Sequence, residues 1–210
     1  SIHTYGMFSL AISSLIFSLV LNENYKSASF FSVLLISIHP IIGIWILGIL
    51  IVGTLFLKDK KLNLNLFKGA VFGFFITILS FILFINNTIE KLELNPEIFK
   101  IYIDLWDGHR NQLGHIHYEY LIKTLFLFFL VNIYYFLLKD KRKNFFLIIL
   151  NLTIIFSSIF YFSYKLFPQL FPSLLVNAIP SRFLILHSFI GWPLIIGTLY
   201  VTFSQFDLTK

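Results

Sequence analysis

The chain has 210 residues, 58% of them hydrophobic and 19% aromatic, with a mean hydropathy of +0.85. Only 12% are charged, against about 25% in a soluble domain, and a soluble fold of this size has too little interior to hide so much apolar surface; lipid is the expected solvent. Cysteine is absent, which excludes disulfides, thiolate metal sites and Cys nucleophiles. The net charge of +6 sits in short loops and reads as a determinant of membrane orientation, not as a nucleic-acid surface. The chain opens on Ser1 without the basic stretch of a signal peptide, so a processed chain and a piece of a longer protein are both open expectations.

A membrane crossing needs about 20 mostly apolar residues. The pattern predicts an all-α, polytopic transmembrane bundle of about six spans in one domain, with spans near 5–21, 28–57, 67–85, 120–138, 145–167 and 183–203. The second is too long for one simple crossing and holds His39-Pro40. Proline removes a backbone donor and clashes with the preceding turn. This stretch is therefore either one helix kinked at Pro40, or a half-helix from Ser27 to Ile38 followed by a span from Ile41 to Leu57. Pro193 is expected to kink the last span.

Two loops are clearly basic, Lys58-Asp59-Lys60-Lys61 and Lys139-Asp140-Lys141-Arg142-Lys143. Two spans separate them, so both fall on one side, which the positive-inside rule makes the cytoplasm. The localisation expected is a bacterial inner membrane. The opposite, outer side would then hold Asn22–Lys26, the long loop 86–119, and Pro168–Arg182.

The long loop carries the chemistry. Asn95-Pro96 reads as an N-cap followed by proline at the first helical position; Ile98, Tyr102 and Leu105 share a face, and Gly108 is a stop. An amphipathic helix lying at the interface is predicted, either as part of a site or as a structural cap. After it comes the densest polar cluster of the chain: Asp104, Asp107, His109, Arg110, His115, His117, Tyr118 and Glu119. Carboxylates and histidines serve as general bases, and the planar fork of arginine binds phosphate; Asp104, Asp107 and His109 are the catalytic candidates, and Arg110, His115 and His117 the ligand-binding ones. The bland alternative is a solvated loop anchored by His and Tyr. His115 and His117 are two apart and share no helical face, though they would on a strand, so no metal is expected.

An ionisable group inside a span is a functional candidate by default. His39 could line a cavity at the Pro40 break, or bond a backbone carbonyl that the proline leaves free. Arg182, in Ile179-Pro180-Ser181-Arg182 just before the last span, is either a snorkelling residue at the membrane edge or an anion clamp facing the same compartment as Arg110, with His187 one turn deeper. Lys123 and Lys165 would add positive charge near outer span ends. Several cations on one face suit a lipid phosphate or pyrophosphate.

The run of His39-Pro40 with Gly43 and Gly48, His109-Arg110, His115-x-His117 and Pro180-x-Arg182 resembles uncharacterised bacterial polytopic membrane proteins of the GT-C glycosyltransferase and O-antigen polymerase kind. The resemblance implies an enzyme, or part of one, acting on polyprenyl-phosphate-linked sugars at the outer face, with membrane lipids and polyprenyl-phosphate as partners and no cofactor. Asp104 or Asp107 would be the general base, with Arg110 and Arg182 holding phosphate. Such enzymes carry an acidic residue in an early outer loop, where this chain has only Glu23, and more spans than six. Two other readings stand beside it: a b-type haem protein ligated by His39 and His187, and a transporter or non-catalytic membrane subunit, in which the broken helix would build a site near the midplane.

Overall fold

The computed structural model describes residues 4–57, 59–87, 118–137 and 144–167, and residues 192–193, 195–197, 199–200 and 202–204 of the last stretch. Among these residues all regular structure is helical, with no strand. The helices are α1 (Thr4–Leu21), α2 (Tyr25–Ile38), α3 (Pro40–Phe56), α4 (Lys60–Asn87), α5 (Tyr118–Leu137) and α6 (Asn144–Leu166).

Local chemistry explains the first turn. Glu23 takes a left-handed φ of 60°. The Asn24 N–H donates to the Leu19 carbonyl at 2.9 Å and the Glu23 N–H to Val20 at 3.0 Å, the pair of bonds that closes a helix with a Schellman motif. Asn24 then opens α2, its side chain accepting from the Ser27 N–H at 3.3 Å. So short a connection makes α1 and α2 antiparallel neighbours.

Between α2 and α3 there is no loop. His39 ends one helix and caps the next, with Pro40 at the first position of α3. A Cβ added to Gly43 would lie 2.5 Å from the Ile36 nitrogen and 2.8 Å from its Cα, so the chain folds straight back on itself. The far ends of the hairpin confirm the reversal. The Phe145 ring meets Tyr25, at the start of α2, edge-on with centroids 5.4 Å apart. The same ring stands 3.1 Å from where a Cβ on Gly53, near the end of α3, would be. Glu23 and Asp59 both lie within electrostatic range of Tyr25. The Asn22–Asn24 turn and the turn at Asp59 therefore lie at one end of the helices, where a single crossing by 28–57 would set them apart. The break at His39 reverses the chain instead of bending one continuous helix.

α4 is the longest helix, at 28 residues. It begins seven residues before the apolar run at Phe67 because Asp59 caps it, accepting from Lys61 N–H at 2.8 Å and Leu62 N–H at 3.2 Å. It runs parallel to α2 at very close range. Gly69 sits directly on the Lys26 carbonyl and the Ser29 hydroxyl, and a Cβ at Gly73 would be 2.9 Å from the Phe30 carbonyl oxygen. Further along, the Thr77 hydroxyl donates to the Val33 carbonyl at 3.2 Å. This is the packing that small residues four apart permit between apolar helices.

α3 and α6 are antiparallel: Gly53 faces Phe145 and Ile149, while Trp45 meets Phe160 at 4.9 Å and Phe156 at 6.1 Å, both edge-on. α5 lies on α6, where the Asn132 amide donates to the Asn151 side-chain oxygen at 3.2 Å. α2 is flanked by α1, α3 and α4, and this central place explains its fully buried small residues Ala28, Ser29, Ser32 and Val33. The buried hydroxyls of Ser32 and Ser13 return to their own helices, donating to the Ala28 carbonyl at 2.7 Å and the Ser9 carbonyl at 2.6 Å, so burial leaves these two paired.

The bundle thus has two ends. The turns after α1 and α3, the end of α5 and the start of α6 lie at what we call the lysine end. The break at His39, the end of α4, the start of α5 and the end of α6 lie at the far end. Among the described residues one helix, Lys60–Leu83, is long and apolar enough to cross a membrane, at 24 residues.

Candidate functional site

Of the candidate catalytic and ligand-binding residues, His39 is the one the structure describes. Asp104, Asp107, His109, Arg110, His115, His117, Arg182 and His187 lie outside the described residues, as does the amphipathic helix expected after Asn95. Lys123 is exposed on α5, and Lys165 belongs to the last turn of α6.

The geometry at His39 follows from Pro40. Proline at the first helical position brings no N–H of its own, but the next amides of α3 still need acceptors. His39 supplies two. Its carbonyl accepts from Gly43 N–H at 3.0 Å, and its Nδ1 accepts from Ile42 N–H at 3.5 Å. Its own N–H closes α2 on the Leu35 carbonyl at 2.8 Å. Sequence reading offered His39 as a partner for a freed carbonyl; the group it satisfies is instead an amide of the next helix.

Two turns of side chain around the break add one polar atom. The Ser37 hydroxyl is buried with no hydrogen-bond partner among the described residues. The carbonyl four residues back, that of Val33, accepts from Thr77 across the α2–α4 seam. Among the described residues no group of three or more His, Asp or Glu gathers in a way that would hold a metal ion.

The packing register fixes the height of the break. Val33 is level with Thr77, so Ile38 stands roughly 7 Å short of the end of α4 at 1.5 Å per residue. Trp45 is level with Phe156 and Phe160, so Pro40 stands roughly 5 Å short of the end of α6. The chain between Asn87 and Tyr118 leaves and rejoins the described helices at this far end, and the chain after Phe167 leaves from it too. Both connections bearing the polar candidates are tethered where His39 breaks the helix.

Three features of this architecture were passed over in the sequence. The Gly69-x-x-x-Gly73 spacing inside an apolar run is a readable close-packing signal. The Asn132–Asn151 pair left no trace, because two asparagines on separate helices say nothing of each other until the helices pair. The Ser37 hydroxyl is equally silent, because its burial depends on how the helices pack around it. Compared with protein-family models, with the curated proteins and with solved structures, the chain matches none.

Proposed function

We propose that the chain is a polytopic integral membrane protein, and that it forms an enzyme, or part of one, acting on polyprenyl-phosphate-linked sugars at the far end of the bundle. One observation carries this reading: the break at His39-Pro40 and the tethers of both polar connections fall at the same end. The connection that carries Asp104, Asp107 and Arg110 in the sequence and the one that carries Arg182 are both rooted at that end. In this reading the arginines hold the phosphate and one aspartate is the general base. Membrane residence is supported by the outer face of α4, where Phe72, Phe75, Ile78 and Ile82 are all exposed; an apolar surface of that extent needs a partner or lipid.

The haem alternative is less well served. The His39 ring caps α3 through Nδ1 and the Ile42 N–H, a role that needs no iron. The transporter alternative keeps one favourable feature, the discontinuous helix.

The test is transfer or hydrolysis of a polyprenyl-phosphate sugar by the chain in proteoliposomes. Arg110→Ala and Arg182→Ala are each expected to lower the rate by about 10² or more, as loss of a charge-stabilising donor does. Asp107→Asn or Asp104→Asn should remove base catalysis, a loss of roughly 10² to 10⁴. Turnover unchanged in all four variants would end the reading.

A further inference from the structure

The lysine end carries a surface that the proposed activity does not use. Because the α2–α3 hairpin returns to its starting level, Lys26 at the head of α2 is brought beside the first turns of α4. Gly69 rests on the Lys26 carbonyl, so Lys26 leaves the α2–α4 seam next to Lys68. Lys61 lies seven residues before Lys68 and hence on the same flank of α4, with Lys60 adjoining it. All four lysines are exposed, and none makes an ion pair among the described residues. Two acids share this end, Asp59 at the cap of α4 and Glu23, both within electrostatic range of Tyr25; four lysines against these two carboxylates leave the patch net positive.

The surroundings of Lys68 decide what kind of anion fits. It is flanked on α4 by Phe67, 66% exposed, and Phe72, 61% exposed. A lysine set between exposed aromatic rings stretches its ammonium toward the polar level and leaves its stem on apolar surface. The patch therefore pairs cations with an adjoining apolar wall. A soluble anion uses only the first of these. A phospholipid with a net negative headgroup uses both, its phosphate on the ammonium groups and its acyl chains along Phe67, Val71 and Phe72.

We infer that Lys26, Lys61 and Lys68 form a binding surface for an anionic phospholipid on the α2–α4 seam. The inference rests on the membrane reading of the chain and adds a partner at the end opposite the proposed site. It predicts that protein purified in mild detergent and passed into nanodiscs of equal phosphatidylglycerol and phosphatidylcholine retains phosphatidylglycerol selectively, read by native mass spectrometry of the ejected complex. The triple variant Lys26→Gln, Lys61→Gln, Lys68→Gln should lose that selectivity, with affinity falling roughly fivefold per lysine. The matching triple arginine variant should keep it, which separates loss of charge from loss of fold. Equal retention of both lipids by the native protein, or undiminished selectivity in the glutamine variant, would overturn the inference. Displacement of the lipid by millimolar inorganic phosphate would overturn it in favour of a soluble anion. Failure of the membrane reading looks different: the chain would be released from membranes by alkaline carbonate before any lipid comparison.

Discussion

At the scale of single residues, two positions hold the backbone in ways that simple substitutions can probe. Glu23 sits in the left-handed region at φ 60°, a conformation that costs a residue with a Cβ roughly 1 kcal/mol and glycine nothing. Glu23→Gly should therefore raise stability by about 1 kcal/mol, less a few tenths for the extra freedom of the unfolded chain. The midpoint of chemical unfolding in detergent checks this, and a fall would show that the Glu23 side chain contributes more than its backbone costs. His39 is the second position. Its ring caps Ile42, so His39→Ala should cost about 1 kcal/mol, while His39→Asn, which keeps an acceptor at the cap, should cost little. Equal losses in both would mean that the imidazole does something other than cap. The role was half legible in sequence. Pro40 announced unpaired backbone groups beside His39, but which group the ring would satisfy depended on the chain reversing.

At the scale of elements, the α2–α4 seam is the tightest contact. Gly69 has a backbone carbonyl where its Cβ would go, and a backbone cannot swing aside as a flexible side chain can. Gly69→Ala should thus be costly, at or above the 1–3 kcal/mol typical of overpacking, whereas Gly48→Ala, with nothing within 4 Å, should be neutral or stabilising by up to about 1 kcal/mol through helix propensity. The contrast between two glycine substitutions in one protein removes propensity as the explanation, and similar effects at both sites would mean that the seam is looser than described. The α5–α6 pair relies on a different device. Each asparagine also returns to its own helix, Asn132 to the Phe128 carbonyl at 2.8 Å and Asn151 to Leu147 at 3.2 Å, so the cross-link is one bond within a satisfied network. Asn132→Leu is expected to lower stability by about 0.6 kcal/mol, the mean for polar contacts between membrane helices, read as a shift of the same unfolding midpoint.

At the scale of the whole molecule, the up-and-down order of the helices has a topological consequence. The Asn22–Asn24 turn and the turn at Asp59 share the lysine end, and Asn87 and Phe167 share the other. A chain without cysteine allows this to be read directly by single substitutions in sealed vesicles. Asn24→Cys and Lys61→Cys should be modified by a membrane-impermeant maleimide from one side, and Phe167→Cys from the other. Labelling of Asn24→Cys and Lys61→Cys from opposite sides would mean that residues 28–57 cross as a single segment. The hairpin also brings Lys26 to the end of the bundle that already holds Lys60 and Lys61.

The sequence by itself determined the helical class, the positions of α1, α5 and α6 to within a few residues, and the break at His39-Pro40, whereas α4 begins seven residues before its apolar run. These follow from local causes: apolar runs, cap residues, and a proline that cannot continue a helix. It did not determine that α2 and α3 fold back on each other. A proline kink and a hairpin begin with the same residues, and the choice between them falls to contacts distant in sequence: Gly43 against Ile36, Gly69 and Gly73 against α2, and the Phe145 ring joining Tyr25 to Gly53. The end at which Lys26 emerges was decided by those contacts too. The side on which a polar residue lies depends on how often the chain reverses before it, and only the packed structure counts those reversals.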